Sequence, residues 1–328
     1  HPVNKTIILS NRNNFLFILF SFMFALFSCE EYLDKAPEAN ISEKDVYGNF
    51  TSFQGFVEQM YNCIMDPNKG GAWNKYLFAD ETLNNKPYNF DYGNYWGNES
   101  YFYGTNVNVT STNPRDRRVW EWAWYAIRVA NLALEKIEQE GLFEGTEEEK
   151  NLIKGQALFF RGWFYFEICR YWGGMPYITR VLSPTEDLTT EEFTRLNFQE
   201  TAKLMAKDFR EAADLLPTHW DNCGPGQATL GHNRDRVNKF HALGYLGKAL
   251  LYAASPMMNE EATGNNSFDP TLCGQAAEAF GELLKLADET QIYRMQSWST
   301  WTDCFWRWNY ERPGGTECIM MPIIYDRS

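Results

Sequence analysis

Residues 151–176 read NLIKGQALFFRGWFYFEICRYWGGMP. Ile153, Ala157, Phe160, Phe164 and Ile168 recur at steps of three and four, which places them along one side of an α-helix. Gly173 and Gly174 allow a sharp turn after that helix, and Pro176 cannot continue it. The same pattern returns four times. Ala123, Ile127, Ala130, Leu134 and Ile137 form one stripe, closed by Gly141. Ala202, Met205, Phe209, Ala213 and Leu216 form another, closed by Pro217. Phe240, Leu243, Gly247, Leu250 and Ala254 run up to Pro256, and Ala276, Phe280, Leu283 and Ala287 mark the last. These helices are similar in length, come in pairs, and carry Ala or Gly where two helices would cross closely. The sequence therefore predicts a mostly α protein of irregular, tetratricopeptide-like (TPR-like) helical hairpins. The strict 34-residue consensus is absent, and an ordinary bundle is the alternative. Stacking is favoured because such repeats bury their stripes only against neighbours.

Ahead of these lies one more helical pattern. Ser42-Glu43-Lys44-Asp45 reads as a capping box, and Val46, Phe50, Phe53, Val57, Met60 and Ile64 form a stripe predicting a single helix, stopped by Asp66-Pro67. Residues 68–116 show no sustained period and are rich in Gly, Asn and Tyr, predicting a long inserted loop. Near the end, Glu317 to Tyr325 is an apolar run of strand length.

At the other end, Asn14 to Asp34 reads NFLFILFSFMFALFSCEEYLD. Lys5 and Arg12 precede an uncharged run, the layout of an export signal. Phe15 to Phe27 falls short of the about 20 apolar residues a membrane span needs. Leu26-Phe27-Ser28-Cys29 resembles a bacterial lipobox, with Phe27 bulkier than the pattern prefers. That likeness implies lipidation of Cys29, and Glu30-Glu31 resemble the acidic tag of lipoproteins sent to the cell surface. Stable anchoring takes more than one acyl chain. The chain starts with His1 rather than Met, and the expectation is a part of a longer protein.

The net charge of the 328 residues is −13, and −15 once residues 1–28, with Lys5, Arg12 and no acid, are removed. Such a balance argues against nucleic acid and against an electrostatic grip on anionic membrane. Arg115, Arg117 and Arg118 are the densest basic cluster, read as a solvated turn before a helix. Besides Cys29 there are six cysteines, Cys63, Cys169, Cys223, Cys273, Cys304 and Cys318, with no C-x-x-C pair and hence no metal-site spacing. No disulfide connectivity follows from them.

Four motifs in order carry a family resemblance. Cys29-Glu30-Glu31-Tyr32-Leu33-Asp34 is similar to the mature start of the SusD/RagB family. Ala123-Trp124-Tyr125-Ala126-Ile127-Arg128-Val129-Ala130-Asn131 resembles its A-W-x-x-I-x-x-A-N helix. Arg161 to Phe166, through Tyr171 to Pro176, resembles its R-A-x-Y-Y-F and Y-G-G-V-P segment. Arg236 to Lys239, through Leu250 to Pro256, resembles its G-R-x-x-K and L-L-Y-A-A-S-P segment, with Asp235 in place of the usual Gly. The resemblance implies an outer-membrane lipoprotein that binds glycan beside a TonB-dependent, SusC-like transporter. It implies a signal peptide over 1–28, a helical domain over 29–290, and the start of a C-terminal region over 291–328, the rest of which is missing from this sequence. Arg161 and Asn131 are expected to satisfy buried backbone groups rather than ligand.

Between Tyr88 and Tyr103 stand eight aromatics in sixteen residues, interleaved with Asn89, Asn94 and Asn98. A flat ring offers an apolar platform to a sugar's C–H face, and an Asn offers both donor and acceptor to its hydroxyls. The expected glycan site is Trp96 as platform, Asn98 as hydrogen-bonding partner, and Tyr92, Tyr95 and Tyr101 as supports. Trp298, Trp301, Phe305, Trp306, Trp308 and Tyr310 are expected to be core.

No catalytic pattern appears. Asp80-Glu81 lack a distant carboxylate partner of the kind glycoside hydrolysis needs, and no H-E-x-x-H, phosphate loop or G-x-S-x-G elbow is present. The reading is a non-catalytic glycan-capture lipoprotein with no cofactor and no metal. The alternatives are a scaffold lipoprotein that organises an uptake complex without binding glycan, and a surface glycosidase.

Overall fold

The computed structural model describes residues 41–64 and 119–303. Cys29, residues 65–118 with the Arg115–Arg118 cluster, and the apolar run at 317–325 lie outside them. The chain divides into two compact units, His1–Ser42 and Glu43–Ser328. The described helices all lie in the second.

Nine α-helices are described, and among these residues there is no strand. Three short ones open the unit, α1 (Glu43–Tyr47), α2 (Phe50–Val57) and α3 (Gln59–Asn62). Then follow α4 (Val119–Glu138), α5 (Glu147–Trp172), α6 (Phe198–Leu215), α7 (Lys239–Ala253), α8 (Pro256–Thr263) and α9 (Pro270–Thr290). Packing follows chain order: α4 lies on α5, α5 on α6, α6 on α7, and α7 on α9. This is the stacked, TPR-like arrangement that the periodicity predicts.

Local chemistry sets where α5, α6 and α9 begin and where α5 ends. Thr146 and Glu149 close a reciprocal capping box, with the Thr146 N–H donating to the Glu149 carboxylate at 2.7 Å. Asn197 and Glu200 repeat the device at α6. Asp269 accepts from the N–H groups of Thr271 and Leu272 ahead of Pro270 at α9. Gly173 ends α5 at φ +78°, a conformation that a side chain disfavours. Where α7 meets α9, a Cβ on Gly247 would sit 2.6 Å from the Phe280 ring, so the small residue is what lets the two backbones approach.

Four expectations need correction. The predicted first helix is three short ones, because Gly48 breaks the run and Asn49 caps a new helix, accepting the Ser52 N–H at 3.0 Å. Its stripe still holds: Phe53, Val57, Met60 and Ile64 are buried. Pro256 does not merely stop α7. It sits in the first turn of α8, where its missing N–H costs nothing. α5 is buried all round from Leu152 to Cys169 except Lys154, since α4 and α6 cover opposite sides and α2 packs on it as well. Arg161, finally, serves side chains. Its Nε and Nη2 grip both oxygens of Asp208 at 2.7 Å each, and Nη1 donates to the Asn131 Oδ1 at 3.0 Å. Asn131 does satisfy backbone, donating to the carbonyls of Ile178 and Arg180, each at 3.0 Å. Of the cysteines, Cys63, Cys169 and Cys223 are buried as small core residues. No helix among the described residues is long and apolar enough to cross a membrane.

Arg161 and Asp208 have 8% and 6% of their side chains exposed, so each is costly without the other. Asp208→Ala is expected to lower stability by about 3–5 kcal/mol, because Arg161 is left buried and unpaired. The urea midpoint at constant slope measures it, and a loss under 1 kcal/mol would contradict this assignment. A second prediction concerns His241. Its Nδ1 accepts the Asn238 N–H at 3.2 Å in the cap of α7, its Nε2 has no hydrogen-bond partner among the described residues, and burial pushes its pKa well below the ordinary value. As pH falls below about 6.5 the unfolded chain takes up this proton first, so stability drops with falling pH. His241→Gln is expected to flatten the decline in Tm between about pH 7 and pH 5. An unchanged slope in the variant would contradict it.

Candidate functional site

The residues expected to bind glycan, Trp96, Asn98, Tyr92, Tyr95 and Tyr101, lie outside the described residues. Of the second aromatic group, Trp298 and Trp301 are described. They are not core: Trp298 is 85% exposed, and the two rings stack at 5.3 Å and 26°.

The described residues supply a different concavity, on the outer side of α4. Trp124, Arg128 and Asn131 stand at i, i+4 and i+7 and share one helix face. Opposite runs the extended segment after α5, which contributes Ile178, Arg180 and Leu182. With Ile127 they enclose a cleft of about 200 Å³. Typical small-molecule sites start at about 300 Å³, so the space suits one small ring rather than a chain.

The far wall is held rigidly. Both Asn131 amide hydrogens are spent on the Ile178 and Arg180 carbonyls. The Ile178 N–H donates to the Tyr165 hydroxyl at 2.7 Å, and the Tyr165 and Tyr177 rings stack at 4.1 Å. Tyr177 in turn donates to Asp208 at 2.6 Å. Burial pushes both tyrosine pKa values up, so both hydroxyls stay protonated. The segment is thus bolted to α4, α5 and α6 at once.

The near wall is aromatic. Trp124 is half-buried and meets Trp120 and Tyr165 edge-on at 5.6 and 5.7 Å. Behind it Trp120 contacts Trp172 at 5.0 Å. At the rim Arg128 is exposed and donates from Nη1 to the Leu182 carbonyl at 3.0 Å. Its other N–H groups have no protein acceptor among the described residues. Arg180 differs, being forked between Glu186 and Glu192, whose carboxylates raise its pKa. The cleft therefore offers an indole, aliphatic walls and one guanidinium with donors to spare. That combination fits a neutral polar ring with C–H faces and hydroxyl edges.

A second cleft, between α5 and the end of α6, lacks an aromatic face, and its carboxylate on Glu148 already accepts the Gly224 N–H. Among the described residues no group of three or more His, Cys, Asp or Glu is placed to hold a metal. In the sequence Trp124 and Arg128 stand out only as members of the helix motif that carries the family resemblance. Their i, i+4 spacing on one helix face was the available signal, but nothing local showed that residues 178–182 would cross opposite them.

Comparison with known proteins bears on this site. Residues 31–229 match the SusD-like family model described as starch-binding and associating with the outer membrane. SusD-like proteins P25 and P2 of Formosa agariphila are 26% identical over 166 residues and 30% identical over 125 residues. The matches cover 49% and 38% of this chain but only 30% and 24% of the relatives, so the chain spans about a third or less of their length. A SusD-like protein of Bacteroides fragilis superposes over 85% of this chain and 46% of its own, at TM-score 0.55 and 20% identity. A SusD homologue of Bacteroides thetaiotaomicron gives 0.51 at 20% identity, over 79% and 44%. At that identity the likeness carries the fold alone.

Asn131→Leu is expected to release the Ile178 and Arg180 carbonyls, at a cost of about 1–3 kcal/mol. Hydrogen exchange of residues 177–182 is expected to accelerate while the core of α5 stays protected. Unchanged exchange there would show that the segment is held by other means.

Proposed function

Because this chain belongs to the SusD/RagB family, we propose that it is a cell-surface lipoprotein that captures glycan and hands it to a TonB-dependent, SusC-like transporter for nutrient uptake. The observation that carries the reading is the cleft lined by both the Trp124 indole and Arg128, whose other N–H groups are unspent among the described residues. A sugar ring needs both kinds of surface at once. Other supports are the family's description as starch-binding and associating with the outer membrane and the front end of the sequence. In this reading residues 1–28 are removed, Cys29 carries the lipid, 29–290 form the binding unit, and 291–328 begin a further region. Trp96 and Asn98, with Tyr92, Tyr95 and Tyr101, remain the proposed contacts for a longer glycan, and the cleft takes one residue of it. Stacked Trp298 and Trp301 offer a further aromatic face.

The reading is of a binding protein rather than an enzyme. Tight holding followed by release requires neither a nucleophile nor a general acid, and two carboxylates across one bond would be needed for hydrolysis.

Residues 29–328 are to be titrated against a panel of neutral oligosaccharides, with products assayed in the same wells. Arg128→Met is expected to weaken binding about tenfold, the loss typical of a hydrogen bond to a charged group. Trp96→Ala is expected to weaken longer glycans more than monosaccharides, with no product formed by any variant. Absence of binding by the unsubstituted chain would shift the reading to the scaffold, and product formation would shift it to the glycosidase.

A further inference from the structure

Most basic side chains on the helices end on carboxylates. Lys136 meets Glu43, Lys154 meets Glu138 and Glu211, and Arg210 meets Asp214 and Glu282. Lys248, on α7, differs. It is half-buried, and its ammonium lies 5.6 Å from the centre of the Phe166 ring and 5.4 Å from that of Tyr245. Among the described residues its partners are rings, not a carboxylate.

A second cation shares the same ring. The Arg170 guanidinium, on α5, lies 5.7 Å from the Phe166 centre and 5.0 Å from that of Tyr171. Its Nη2 donates to Glu167 at 3.0 Å and to the Tyr171 hydroxyl at 2.7 Å, while its buried Nε finds no partner among the described residues. Glu167 is thus spent on Arg170, and Lys248 has no carboxylate partner among the described residues, in a chain whose net charge is −13. Burial pushes the Lys248 pKa down and the neighbouring Arg170 pushes it further, with Glu167 opposing. Taking an unmatched cation out of water is costly, and the faces of two rings recover only part of that cost. At the edge of the cluster Tyr252 is 41% exposed, with its ring 5.2 Å from Phe166.

We propose that Lys248 and Arg170 form a binding site for an oxyanion, a carboxylate or a sulfate, at the junction of α5 and α7, with the exposed Tyr252 beside the group that carries it. The point charge of Lys248 beside the planar guanidinium of Arg170 suits such a group. An anion there supplies the counter-charge that Lys248 lacks. The same chemistry arrives on an acidic sugar or as a free inorganic ion, and the site stands whether or not the cleft on α4 takes a neutral sugar.

The test is thermal unfolding of the full chain at matched ionic strength, with sodium sulfate, sodium galacturonate or neutral galactose. At about ten times the dissociation constant, either anion is expected to raise Tm by about 2–4 °C. Lys248→Met is expected to abolish the rise and, without ligand, to be no less stable than the parent, because its repulsion with Arg170 is gone. Tyr252→Ala, at an exposed position, is expected to keep the sulfate response and reduce that to galacturonate. A larger effect of galacturonate than of sulfate identifies a sugar-borne anion, and equal effects identify a free one. No rise with either anion, or the same rise in Lys248→Met, overturns the site.

Discussion

The stack turns on the bidentate contact between Arg161 and Asp208. Arg161 sits in the middle of α5, a helix with almost no solvent-facing side, and Asp208 reaches it from α6. Two charges are tolerable there because each satisfies the other and because neighbours take up the remaining capacity. Asn131 from α4 accepts from Arg161, and Tyr177 donates to Asp208. Apolar stripes would let α4, α5 and α6 slide along one another. A directional network of this kind fixes their register, since a shift of one turn would leave buried charge unmatched.

The same network shapes the concave surface. Asn131 and Tyr177 do not only close the polar arrangement around Arg161. They also hold residues 177–180 against α4, α5 and α6, and the gap left beside Trp124 is the cleft. Stability and site are therefore one construction here. The Asn131 amide hydrogens and the Tyr177 hydroxyl proton are spent on holding the wall, and the recognition falls to Trp124 and Arg128 at the edges.

A second set of contacts ties the short leading helices to the stack. Gln54 and Gln156 exchange hydrogen bonds between α2 and α5, at 3.1 and 2.9 Å. The Tyr61 hydroxyl donates to Gln156 and accepts the N–H of Val237, just ahead of α7. Segments far apart in sequence are thereby clamped at buried points, each polar group satisfied. Also at the start of α7, Tyr293 packs on Phe240 and takes a hydrogen bond from Asn238, so the chain after α9 is anchored to the cap that His241 helps to close.

The sequence by itself determined the helices. Residue spacing placed the buried stripes of α4 to α7 and α9, Gly and Pro marked most of their ends, and the small residue at 247 foretold a close crossing. Local rules sufficed because helix periodicity is read over a few turns. They were less secure where one residue type has two local meanings. Pro256 can stop a helix or start one, and Gly48-Asn49 can be read through or as a break and a cap. What only the tertiary structure decided is which polar residues meet. Asp208 looks like any acid on an amphipathic helix until α5 brings Arg161 to it. Trp124 and Arg128 look like scaffold until residues 178–182 cross opposite them. Lys248 looks like a solvated lysine until α5 sets Phe166 and Arg170 against it. Partners that lie 47 or more residues apart leave no mark in local spacing, because their pairing is a property of the packed helices rather than of any one of them.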